Sequence, residues 1–133
     1  MSQMTDWLES QLRAHLFRTA TMSKPSAITV HLYTAAPGET GGGTEVTGGN
    51  YGSVTRSPLD ANWTAASGTD GLTDNAAAIT FPVPNASWGT VTHWAIKHDT
   101  NMSVYGNLTA QKNVNNGDPA PYFDVGALDV TFA

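Results

Sequence analysis

The sequence predicts a mainly β protein: a single antiparallel β-sandwich, jelly-roll-like, with one N-terminal amphipathic α-helix. Three observations carry that expectation. Thr is the commonest residue and Gly is plentiful at 13, and β-branched residues suit a pleated surface while Gly supplies turns. Several short segments alternate apolar and polar residues with a period of two, as half-buried strands do. One segment alone has the spacing of a helix.

That helix is expected over residues 5–18, where Trp7, Leu8, Leu12, Leu16 and Phe17 fall mainly four and five apart and would line one side. Thr5 can cap its start, Asp6 and Glu9 suit the positive first turn, and Arg18 suits the negative end. Pro25 punctuates the stretch that follows. Residues 27–33 alternate Ile28, Val30 and Leu32 with Thr29, His31 and Tyr33, predicting a strand. A Gly-rich loop then runs through Pro37, Gly38 and residues 41–43, with Gly48 and Gly49 beyond Val46. Further strands are expected over residues 52–57, 76–83, 88–96, 102–109 and 122–125, and along Leu128, Val130 and Phe132. Residues 60–75 read as a polar stretch holding an Asp70–Gly71 turn, and Asn116–Gly117 marks another. About seven or eight short strands suit a sandwich or a barrel. The domain organisation expected is a helix and connector over residues 1–26, then a β-sandwich over residues 27–133.

Composition narrows the function. A chain of 133 residues is one domain's worth and can bury a core without metals or disulfides. It has no Cys, which removes disulfides, thiol nucleophiles and cysteine-ligated metals. A net charge of −5 with 13% charged residues offers no footprint for nucleic acid or an anionic membrane. No apolar run is long enough for a transmembrane helix, and Asp6 and Glu9 stand where a secretory signal would be basic.

No catalytic pattern emerges. His15, His31, His93 and His98 form no close metal-binding pair and read as structural or surface histidines. There is no nucleophile elbow around Ser53. Glu39 and Glu45, the two Glu beyond the helix, lie in the Gly-rich loop, a poor mount for two groups needing a fixed separation. Asp70, Asp74 and Asp118 sit in turn-like contexts, and the glycines lack the Lys and helix of a phosphate loop. No enzyme activity, metal or cofactor is expected. Four N-x-S/T sequons, at Asn62, Asn85, Asn101 and Asn107, lack the secretory context that would give them meaning. Trp88 and Trp94 suit a core, whereas Trp63, in a polar stretch, suits an exposed contact together with Glu39, Glu45 and Tyr51. The helix either packs on its own domain or docks on a neighbour. In the second case Trp7, Leu8, Leu12, Leu16 and Phe17 are the candidate partner-binding residues.

Several blocks carry a resemblance: LYTAAPGETGGGTEVTGGNY (residues 32–51), NAAAITFP (75–82), ASWGTVTHWAI (86–96), VYGNLT (104–109) and the closing GALDVTF (126–132). In order and spacing they resemble a family of small tailed-bacteriophage structural proteins, often labelled tail-fibre-like or decoration proteins. The segment GSVTRSPLD (residues 52–60) departs from that pattern. The resemblance implies a virion component, assembled in the host bacterial cytoplasm, with no catalytic motif. The function expected from it is capsid decoration: a cement protein on the outer head that binds the major capsid protein or other virion proteins and stabilises the shell. A homo-oligomer, a trimer for choice, is expected. The alternative is a tail-associated or tail-fibre protein that contacts the host surface, with carbohydrate as the ligand class.

Overall fold

The computed structural model describes residues 2–66 and 71–132. Asp70 of the expected Asp70–Gly71 turn lies outside the described residues. The chain runs β1 (Ser2–Met4), α1 (Asp6–Phe17), β2 (Ile28–Ala35), β3 (Thr44–Glu45), β4 (Val54–Thr55), β5 (Leu72–Asp74), β6 (Ile79–Thr80), β7 (Gly89–His98), β8 (Asn101–Val114), β9 (Tyr122–Phe123) and β10 (Asp129–Thr131). One sheet has the order β1-β8-β7-β2-β3, with β4 also on β2; two ribbons, β5 with β10 and β6 with β9, complete the fold. Every pairing among the described strands is antiparallel. The sheet does not close into a barrel.

Alternation places Val30, Leu32, Trp94, Ile96 and Val104 on one face of this sheet, through the pairs Val30↔Ile96, Leu32↔Trp94 and Ile96↔Val104. That face joins Ile79, Phe81 and Leu128, at or beside the two ribbons, in the main core, to which the helix adds Leu8. The other face holds a smaller cluster of Tyr33, Ala95, Met102 and Tyr105. Trp88 and Trp94 are both core residues, as their setting in strands predicts. Trp94 lies across from Gly106, and a Cβ at Gly106 would stand 2.7 Å from the Trp94 ring. Glycine is required there because the indole covers the backbone of the neighbouring strand.

Several elements differ from the sequence expectation. Residues 52–57 form only the two-residue β4, and residues 76–83 only β6. Pro58, Pro82 and Pro84 bound these runs and cannot donate to a ladder. β8 continues to Val114, five residues past its expected end. Its pairing with β7 shifts between Val91↔Lys112 and His93↔Asn107, so residues 108–111 bulge opposite Thr92. β1, β3 and β5 have no counterpart in the expected strands. β1 pairs with β8 at Ser2↔Gly106, and the Ser2 hydroxyl donates to the Thr131 carbonyl (2.6 Å) and accepts from the Thr131 amide (2.7 Å). The first residues of the chain are thereby tied to the sheet and to β10.

The helix starts where the sequence places it. Thr5 is the N-cap, its hydroxyl accepting from Leu8 N at 3.4 Å and donating to Met102 O at 2.6 Å. Asp6 and Glu9 occupy the first turn and His15 the last. The apolar stripe is narrower than expected. At about 100° per residue Leu12 follows Leu8 by ~40° and Leu16 by ~80°, whereas Phe17 falls ~180° away. Accordingly Leu8 is buried, Trp7 and Leu12 are half-buried, and Leu16 and Phe17 are 68% and 82% exposed.

Candidate functional site

The loop glutamates and Tyr51 do not form one exposed surface. Glu39 is exposed, and its carbonyl accepts the Asp6 amide at 3.0 Å, which ties the Gly-rich loop to the helix start. Glu45 instead faces β2 and β7 from β3. Its carboxylate is in direct contact with His31 Nδ1, accepts from the Tyr51 hydroxyl at 3.1 Å, and lies 3.7 Å from Lys97 Nζ. His31 Nε2 is 2.8 Å from the Thr29 hydroxyl. This fits a neutral imidazole that donates from Nδ1 and accepts at Nε2.

The network closes a gap in the sheet. β3 pairs with Tyr33 and Ala35 of β2, while β4 pairs with Thr29 and Val30. Between them the Leu32 amide donates to the Tyr51 hydroxyl at 2.9 Å, and the Leu32 carbonyl accepts from Val46. The Tyr51 ring is wedged between Phe81 (6.3 Å) and Trp88 (5.3 Å). Burial lowers the His31 pKa against the opposing pull of Glu45. Burial and the neighbouring carboxylate push Tyr33 up to about 12 and Tyr51 up as well. His31, expected on a polar face, is therefore 8% exposed and holds the loop strand in place. Its signal in the sequence was only its position opposite the apolar phase of β2.

Trp63 is half-buried rather than fully exposed. It packs against the main core, bridges to Asn75, and its Nε1 donates to Arg56 O at 3.3 Å. It lines a cavity of about 180 Å³ together with Ile28, Ile96, Val104 and Val130. It also lines an open cleft of about 540 Å³ formed by Pro58, Leu59, Asp60, Thr64 and Ala76. Leu59 is 58% exposed at this cleft.

Asn75, which the sequence placed only at the end of a polar stretch, is fully buried. Its amide nitrogen donates to Ala77 O (2.9 Å) and Asp124 O (2.8 Å), and its oxygen accepts from Leu128 N (2.9 Å). It fastens the segment before β10 to the end of β5. Among the described residues no group of three or more His, Asp or Glu could hold a metal.

The five helix residues divide by position. Leu8 belongs to the core, and Trp7 sets its ring edge-on to His98 at 5.9 Å. Leu12 packs against that core as well. Leu16 and Phe17 project from the helix end, and Arg13, Arg18 and Lys24 lie close by in sequence. The connector turns back immediately, because the Met22 amide donates to His15 Nδ1 at 3.2 Å. What the surface offers is an exposed apolar helix end and an apolar cleft beside Trp63, both suited to assembly contacts.

Comparison with known proteins agrees with that character: the chain is a structural protein of a bacteriophage virion. It belongs to the family described as Podophage GP4 fiber I protein gp80, which matches residues 3–131. No curated protein matches it.

Proposed function

We propose that the chain is a fibre subunit of a phage tail, joined to neighbouring virion proteins through the end of α1. The observation that carries this is the fibre family's match over residues 3–131, combined with a helix whose base is sunk in the core and whose tip is bare. Leu8 fixes the helix to its own domain, so Leu16 and Phe17 are presented rigidly, and a preorganised apolar anchor binds at little entropic cost. The fibre description favours the tail over the outer head.

The test is copy number in purified, nuclease-treated particles, measured against the major capsid protein. A small fraction of the capsid protein's abundance is expected, with antibody labelling at the tail. A ratio near one to one, with label over the head, would return the chain to capsid decoration. Absence from particles would remove the virion reading.

A further inference from the structure

Charge along the chain is unevenly placed. Residues 13–24 contain Arg13, Arg18 and Lys24 and no Asp or Glu, whereas the rest of the chain has three Lys and Arg against eleven Asp and Glu. Arg13 pairs with Glu9 at 3.3 Å, and among the described residues no salt bridge involves Arg18 or Lys24. In the middle of this basic stretch stand Leu16 and Phe17, the latter 82% exposed. A basic rim around a bare aromatic calls for a partner with an apolar cleft and a carboxylate beside it.

The same chain has such a cleft. Beside Trp63, residues Pro58, Leu59 and Ala76 present apolar surface, and Asp60 adds an exposed carboxylate at the margin. Its own helix leaves it open, since Phe17 is in solvent. The apolar cavity of about 190 Å³ under Phe81, Leu108 and Phe123 suits the helix end less, because Lys112 stands at its rim.

We propose that the chain self-associates head to tail: the α1 end of one copy, Phe17 with Arg18, docks in the Trp63 cleft of the next. Phe17 packs on Leu59 and Trp63, and Arg18 reaches Asp60. Each copy gives its helix end and receives its neighbour's, so the contact is heterologous and propagates around a ring or along a run of copies. This rests on the fibre reading and names the first partner within it.

The purified full-length chain would be examined by sedimentation velocity over a concentration series, at low and high salt. Association that weakens with salt is expected. Phe17→Ser should weaken it roughly tenfold or more, as loss of a central aromatic anchor does. Arg18→Glu and Asp60→Lys should each weaken it about three- to fivefold, and the two together should restore it by exchanging the charges. All three positions of substitution are exposed at the surface, and cooperative thermal unfolding would show each variant folded. A monomeric wild type, association indifferent to Phe17→Ser, or a charge exchange that restores nothing would each overturn the proposal. Those outcomes leave the fibre reading standing if the chain is still found in particles. Absence from particles removes that reading whatever the oligomeric state.

Discussion

At the scale of single residues, polar side chains hold together what short strands cannot. Asn75 makes three hydrogen bonds from a site with no exposure. Asn75→Ala should lower unfolding stability by about 1.5–4 kcal/mol, since three bonds are lost and their partners stay buried. Denaturant unfolding measures this directly, and a loss within about 0.5 kcal/mol, the range of a surface change, would contradict it. Gly106 gives a steric counterpart: Gly106→Ala forces a methyl to 2.7 Å from Trp94 and should cost about 1–3 kcal/mol. The histidines add a pH dependence. Burial lowers the pKa of His31 and of His98, whose Nδ1 is enclosed without a hydrogen-bond partner. With folded values below the ordinary 6.5, the unfolded chain binds more protons as acid is added. Stability should therefore hold at neutral pH and fall as pH drops below about 6.5. Melting temperatures over that range should fall less steeply in His31→Gln, and less again when His98→Gln is added; a slope unchanged by both substitutions would refute the assignment.

At the scale of elements, what could be read in the sequence follows from length and from periodicity. The helix was legible to within a residue because Thr5, Asp6 and Glu9 supply the start signals and its apolar spacing is helical. β2 was legible because Ile28, Val30 and Leu32 alternate with Thr29, His31 and Tyr33, and β7 because Val, Thr, Trp and Ile, which favour strands, crowd its length. β1, β3 and β5 were not, because two or three residues cannot display a period. The second half of β8 escaped notice because its bulge breaks alternation and residues 109–113 are exposed. Of the candidate site, Leu16 and Phe17 were legible as apolar residues of the helix. That Leu8 points inward while Phe17 points out depends on the turn angle and on where the sheet stops. Glu45 and Tyr51 were placed among exposed contacts because the sequence could not show that β3 folds back over His31. The helix end should be energetically idle in the isolated chain: Phe17→Ser should change unfolding stability by less than about 0.5 kcal/mol, whereas Leu8→Ala should cost about 2–5 kcal/mol. Equal losses from the two substitutions would mean that the helix end is part of the core.

At the scale of the molecule, the arrangement is a β-domain in which His31 and Glu45 serve internal fastening while Leu16 and Phe17 stand bare at a helix tip. Because β1 pairs with β8 and Leu8 is in the core, cutting the first 18 residues away would damage the fold as well as any anchor. A point substitution separates the two effects. The most direct measurement is incorporation of a Phe17→Ser chain into particles by a phage lacking its own copy, with folding checked on the purified variant. Particles depleted of the chain and its fibre, from a variant that unfolds like the wild type, are the expected result. Undiminished incorporation of the folded variant would contradict the claim that the helix tip joins this protein to the virion.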